Sequence, residues 1–180
     1  LYMKTIDNFN FAGKKALIRV DFNVPLDENF KVTDNTRIEA AKPTIEKILK
    51  DGGTVVLMSH LGRPKGERND KYSLRHIVGE VEKVLGKKVI FVDECVGAKA
   101  EKTVAEAPAG SVVLLENLRF HKEEEKGDEG FSKELAKLGD IYVNDAFGTA
   151  HRAHASTTIV AKFFPQNKCF GYLLAKEIES

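Results

Sequence analysis

Thr54-Val-Val-Leu-Met58, followed at once by Ser59-His-Leu-Gly-Arg63, decides the fold. The first five residues form a short apolar run of strand length. The next five break it with a serine, a histidine, a glycine and an arginine. A strand covered by helices on both faces reads as continuous rather than alternating apolar sequence. The pattern recurs outward from this stretch in Ala16-Leu-Ile-Arg-Val20, Lys88-Val-Ile-Phe-Val92, Val112-Val-Leu-Leu115 and Ile141-Tyr-Val143, with amphipathic segments between them. Strands alternating with crossover helices predict an α/β fold: a three-layer, Rossmann-like open parallel sheet with helices on both faces.

The clearest helix runs from Ser73 to Leu85, where Leu74, Ile77, Val78, Val81, Val84 and Leu85 share one face and Gly86 supplies the stop. Thr36-Arg-Ile-Glu39 fits a capping box, opening a helix that Pro43 is expected to kink or restart before Lys50 and the Gly52-Gly53 terminator. Phe131 to Leu138 is a shorter helix ended by Gly139. Glu123 to Gly130 is charged and punctuated by glycine, which predicts a solvated loop. Tyr172 to Ser180 reads as a helix without a C-cap, and the expectation is a chain cut from something longer.

Composition narrows the function. A chain of 180 residues that is 42% hydrophobic fits one ordinary globular domain. Twenty-eight basic against 27 acidic side chains leave a net charge of +1, which argues against nucleic acid or an anionic membrane as partner and leaves room only for a local basic patch. Cys95 and Cys169 fall outside any CxxC or zinc spacing, as expected of a reduced protein. No apolar run approaches the ~18 residues of a membrane span, and no leader pattern follows Met3, so a cytoplasmic location is expected.

In open parallel sheets ligands bind beyond the carboxyl ends of the strands. The residues there share one character: Asp21-Phe-Asn23, Ser59 to Arg63, Glu116 to His121, and Asn144 to His154. Lysine is far commoner in the chain, yet Arg63, Arg119 and Arg152 take these positions. Arginine's planar fork grips carboxylate and phosphate oxygens in pairs, whereas lysine is a mobile point charge. Arg37 sits in the first turn of its helix, where the macrodipole disfavours a cation by roughly 0.3–1 kcal/mol unless an anion binds there. Asp21 and Asn23 either take ligand hydroxyl hydrogens or merely end the strand at Val24-Pro25, and each arginine alone reads equally as a loop ion pair. Arg19, inside the first strand, is either a structural ion pair or support for the same patch, and its position alone favours the former. His151 and His154 have too weak a spacing for a metal, and none is expected. Taken together, the edge suits a small, polyanionic, hydroxylated ligand.

Arg19-Val-Asp-Phe-Asn-Val-Pro-Leu26, Asp34-Asn-Thr-Arg-Ile38, Ser59-His-Leu-Gly-Arg-Pro64, Leu115-Glu-Asn-Leu-Arg-Phe120 and Asn144-Asp-Ala-Phe-Gly-Thr-Ala-His-Arg-Ala-His154 resemble, in order and spacing, the signature blocks of the phosphoglycerate kinase family. The resemblance covers Met3 to about Ser180 and corresponds to the amino-terminal half of that family. It implies a phosphoglycerate-binding domain over residues 3–172 and the start of an interdomain helix over 173–180, with the nucleotide-binding domain absent. It implies reversible phosphoryl transfer between 1,3-bisphosphoglycerate and ADP, giving 3-phosphoglycerate and ATP, by a monomeric glycolytic enzyme. By motif, Asp21, Asn23, Arg37, His60, Leu61, Gly62, Arg63, Arg119 and Arg152 would bind the substrate, with Arg37 catalytic at the transferring phosphoryl group. Arg19, His151 and His154 would complete the basic patch, which pulls Arg19 back toward function. MgATP or MgADP is expected only in the carboxy-terminal domain, since neither G-x-x-x-x-G-K-[ST] nor G-x-G-x-x-G occurs here. The chain alone is therefore expected to bind phosphoglycerate without turning it over. The alternatives are a non-catalytic domain sensing a phosphorylated metabolite and, more weakly, a sugar-phosphate isomerase or lyase, for which no general base is specified.

Overall fold

The computed structural model describes residues 4–146 and 153–173. Its strands are β1 (Lys4–Thr5), β2 (Lys15–Val20), β3 (Thr54–Met58), β4 (Val89–Val92), β5 (Val112–Leu115), β6 (Ile141–Asp145) and β7 (Lys168–Phe170). They form one sheet in the order β1-β7-β6-β2-β3-β5-β4, every neighbouring pair parallel. Register is set at the centre, where Ile18 lies opposite Leu57 on one side and Val143 on the other. The helices are α1 (Thr36–Lys50), α2 (Val78–Leu85), α3 (Ala98–Glu106), α4 (Lys122–Lys126) and α5 (Glu129–Ala136).

Alternate residues of each strand feed opposite cores, because successive side chains point to opposite faces. Ile18, Val20 and Leu57 pack with Ile38, Ile45 and Ile48 of α1 and with Val81 of α2. Leu17, Val56 and Tyr142 pack on the other face with Val104 of α3 and with Phe131 and Leu135 of α5. This is the three-layer α/β fold expected from the continuous apolar runs. Each such side chain contributes roughly 1.5–3 kcal/mol by leaving water, whereas an exposed ion pair such as Arg75–Asp70 is screened by solvent and adds little. The two apolar layers hold the molecule together.

Three local expectations need correction. Pro43 does not restart α1; the helix runs unbroken from Thr36 to Lys50 with Pro43 inside. A proline in a helix interior costs about 3 kcal/mol. The stripe Ile38, Ala41, Thr44, Ile45 and Ile48 buried on the sheet outweighs that cost. The capping box is also absent: Thr36 is the first helical residue, and Asp34 Oδ1 accepts its N–H at 2.9 Å and its hydroxyl at 2.6 Å. A turn closed by the Asp34 side chain starts the helix instead.

The third correction concerns Glu123 to Gly130, which is largely exposed as expected but is helical rather than a loop. It contains α4, closed by Gly127 in the left-handed region at φ 64°, and then Asp128, whose carboxylate accepts the N–H of Phe131 at 2.8 Å and caps α5. Within the charged run, Glu124 alone is fully buried. The Ser73 helix begins as a 3₁₀ turn over Leu74–Ile77 before α2, and Gly86 ends it at φ 65°.

Candidate active site

The connection leaving β2 runs to β3 and that leaving β6 runs to β7 on the opposite side, so the switch point of the sheet lies between β2 and β6. A cleft of about 180 Å³ opens there between Asp21, Arg37, Asp145 and Leu173. The residues after β2, β3 and β5 border this edge and are tied to one another by hydrogen bonds.

Asp21 Oδ1 accepts from Arg37 Nη1 at 3.2 Å, and the same nitrogen donates to the Asn23 carbonyl at 2.9 Å. The Arg37 side chain is 52% exposed, so the pair is weak and can be rearranged by a ligand. Asn23 Oδ1 accepts the N–H of Gly62 at 2.8 Å, and its side-chain nitrogen has no partner among the described residues. Gly62 stands at φ 62°, and a Cβ there would collide with the Tyr72 ring. Ser59 Oγ receives the N–H of Phe22 at 2.9 Å, closing the ends of β2 and β3 together.

His60 is almost buried. Burial, followed by the positive charges of Arg19 and Arg119, lowers its pKa to about 2. It therefore serves the edge as a neutral hydrogen-bonding ring, whereas Arg37, Arg63 and Arg119 carry the charge. Arg63 is exposed and makes no ion pair among the described residues. Arg119 is half-buried, and its Nε is buried with no hydrogen-bond partner among the described residues, as is Nδ1 of His154. Buried polar atoms are normally satisfied; among the described residues these two are not. Burial also lowers the pKa of His154.

Arg19 is fully buried and does not reach the surface. Its Nε donates to Ser156 Oγ at 2.8 Å, one terminal nitrogen donates to the Val20 carbonyl, and the other lies 3.0 Å from His60 Nδ1. His151, Arg152 and residues 174–180 lie outside the described residues.

Sequence reasoning missed the struts behind the site. Asn117, fully buried, donates to the carbonyls of Leu61 at 2.7 Å and Tyr72 at 2.9 Å, and its oxygen accepts the N–H of Arg119 at 3.0 Å. One side chain thus fixes both the post-β3 and post-β5 turns. Its place beside Arg119 was visible, but its burial was not. Away from the edge, Glu94, Cys95 and His121 bring their donor atoms within 4.8 Å of one another. Glu94 Oε1 accepts there from His121 Nε2 at 2.8 Å and from the Cys95 N–H at 2.9 Å. Those hydrogen bonds, with Arg68 also 3.4 Å from Glu94 Oε2, account for the cluster. Among the described residues no helix is long and apolar enough to cross a membrane.

Fold and site together define a doubly wound α/β domain whose strand-end edge gathers Arg37, Arg63 and Arg119 around a neutral His60. The family model described as "Phosphoglycerate kinase" matches residues 6–180, and the chain belongs to the phosphoglycerate kinase family. It is 52% identical over 200 residues to a phosphoglycerate kinase of Porphyromonas gingivalis, covering 98% of this chain and 48% of that protein. It is 54% identical over 170 residues to a cytosolic phosphoglycerate kinase of Nicotiana tabacum, covering 94% and 42%. Among solved structures, phosphoglycerate kinase from Coxiella burnetii superposes with a TM-score of 0.86 at 36% identity, covering 99% of this chain and 44% of that one. The Pyrococcus horikoshii enzyme gives 0.87 at 33%, covering 98% and 44%. The chain spans a little under half the length of these relatives.

Proposed function

We propose that the chain is the phosphoglycerate-holding, amino-terminal half of a phosphoglycerate kinase that transfers a phosphoryl group between 1,3-bisphosphoglycerate and ADP. The observation carrying this reading is the edge at the switch point. Among the described residues Arg119 has no ion-pair partner there and its buried Nε has no acceptor, and Asp21, Asn23, Arg37, His60 and Arg63 lie on the same edge. Asp21 and the side-chain nitrogen of Asn23 would hold the hydroxyl and carboxylate end, with Leu61 and Gly62 lending backbone. His60, Arg63, Arg119 and Arg152 would hold the phosphate and its surrounding charge. Phosphoryl transfer through a loose, in-line transition state needs aligned reactants and neutralised equatorial oxygens rather than a nucleophile on the enzyme. Arg37, exposed and loosely paired, is the residue free to swing onto the transferring group.

The nucleotide is the second substrate, held by a carboxy-terminal domain reached through residues 173–180. Neither phosphate-binding glycine motif occurs in this sequence. Closure of the two domains would exclude water and complete the reacting pair, so the chain alone binds without turnover. A cytoplasmic, monomeric enzyme completes the reading.

Calorimetric titration with 3-phosphoglycerate tests it. One-to-one binding with a Kd of roughly 0.01–1 mM is expected. No saturable binding at millimolar ligand would overturn the claim that this half holds the substrate.

A further inference from the structure

Behind His60, on the side away from solvent, lies a chain of buried polar groups. Arg19 and Glu124 are both fully buried, with Arg19 Nη2 and Glu124 Oε2 4.0 Å apart. Glu124 Oε1 accepts the backbone N–H of Ser156 at 2.9 Å, and Oε2 accepts the Ser156 hydroxyl. Ser156 Oγ in turn accepts from Arg19 Nε at 2.8 Å. Arg19 Nη2 lies 3.0 Å from His60 Nδ1. Three separate parts of the chain, β2, α4 and the segment around Ser156, meet behind one imidazole.

The proton directions along this chain are fixed by chemistry. A guanidinium has donors and no acceptor, so Nη2 must donate to Nδ1, and Nδ1 must carry no hydrogen. The ring hydrogen then sits on Nε2. That nitrogen has no partner among the described residues, and it lies on the side of the ring away from buried Arg19. Ser156 likewise accepts from Arg19 and must spend its own hydrogen on Glu124. A lysine at position 19 has no planar fork with which to serve Ser156 and His60 together.

We propose that Glu124 and Ser156 are positioning residues: acting through Arg19, they hold His60 in the tautomer that presents an Nε2–H donor to the anionic ligand. The inference rests on the reading of this edge as the phosphoglycerate site. Stability alone does not explain the arrangement, because a buried ion pair is often no better than apolar side chains of similar volume. A buried arginine beside an anion site also adds positive charge that Glu124 offsets. The ring is left as a directed donor while the exposed arginines carry the ligand's charge.

The test is long-range ¹H–¹⁵N correlation of the imidazole nitrogens in the ¹⁵N-labelled chain, with 3-phosphoglycerate affinity measured in parallel. Wild type is expected to show His60 as a single Nε2–H tautomer. Glu124→Gln removes the charge and one of the two acceptors. His60 should then exchange between tautomers, and affinity should fall about tenfold, the order of one hydrogen bond to a charged group. Ser156→Ala should produce the same tautomer mixing and Ser156→Thr should restore the single form. This pair carries the test if Glu124→Gln does not fold. An Nδ1–H tautomer in wild type overturns the proposal, as does an unchanged single tautomer in folded Ser156→Ala and Glu124→Gln. If the tautomer shifts in the variants while wild type binds no 3-phosphoglycerate, the positioning role stands and the ligand assignment fails.

Discussion

Asn23 Oδ1 accepts the N–H of Gly62 at 2.8 Å, and that bond joins the segment leaving β2 to the segment leaving β3. The two ends of one amide differ: its oxygen holds the loop, and its nitrogen, without a partner among the described residues, is the group proposed to meet the ligand. Two substitutions separate these roles.

Asn23→Ala should cost about 1 kcal/mol of stability, the usual net value of one hydrogen bond, and weaken phosphoglycerate binding. Asn23→Asp keeps an acceptor for Gly62 but replaces the amide donor with a second carboxylate. It should recover most of the stability and bind worse than the alanine variant. Thermal unfolding and calorimetry on the two proteins check this, and equal binding in both would count against a ligand contact by the Asn23 nitrogen.

Arg37→Ala, placed in a full two-domain enzyme, should lower kcat by roughly 10²–10³, the scale of losing one transition-state charge stabiliser. Its pairing with Asp21 is half-exposed and rearrangeable, so phosphoglycerate affinity should change far less. Steady-state kinetics beside direct binding separate the two. Loss of affinity with the turnover of bound substrate unchanged would assign Arg37 to binding alone.

The stability of the chain should fall as pH drops from 6.5 toward 5. His60 has its pKa lowered to about 2 from 6.5, chiefly by burial, and His154 is lowered for the same first reason. In that window the unfolded chain takes up protons that the folded chain refuses, so acid favours unfolding, by up to about 1.4 kcal/mol per pH unit for His60. Asp27, Asp34 and Asp51 are lowered below 3.8, so their stabilisation is lost only in stronger acid and does not confuse the window. Urea unfolding at pH 7, 6 and 5 should give a slope that His60→Gln reduces. An unchanged slope in that variant would show that His60 is not the group being titrated.

Gly127→Ala should destabilise by more than the ~1 kcal/mol typical of a glycine at a left-handed helix end. Gly127 holds φ 64°, and a Cβ there would run into the Ala153 carbonyl. Because Ala155 N–H donates to the Glu124 carbonyl at 2.8 Å just beyond, the substitution should also disturb the His60 ring signals. Thermal unfolding together with the imidazole spectrum reads both effects.

The layered sheet was legible because continuous apolar runs, such as 54–58 and 112–115, coincide with β3 and β5 to the residue. The strand-end residues were legible for the same reason, since the last residue of a strand locates the turn beyond it. The features that stayed hidden depended on distant partners. Lys4–Thr5 and Lys168–Phe170 are too short and mixed to announce themselves as strands; they exist because each finds a neighbour in the sheet. Ala98–Glu106 carries too few apolar residues to stand out, though Ala100 and Val104 are buried. Glu124 is the sharpest case: surrounded by Glu123 and Glu125, it looks like surface, and its environment is set by Arg19 and Ser156, which lie far away in sequence. Local composition carries no trace of such a partner.

β1 and β7 are adjacent in the sheet although nearly the whole chain separates them, with Lys4 opposite Cys169. The Tyr172 hydroxyl also donates to Asp7 across the same gap. On a ribosome, the outer side of β6 can gain its neighbour only after residues 168–170 have emerged, and β1 must wait for the same three residues. This edge of the sheet thus closes after the strands between β1 and β7 have been made, a long-range pairing that slows folding. Until it closes, nascent chains present an open strand edge to one another.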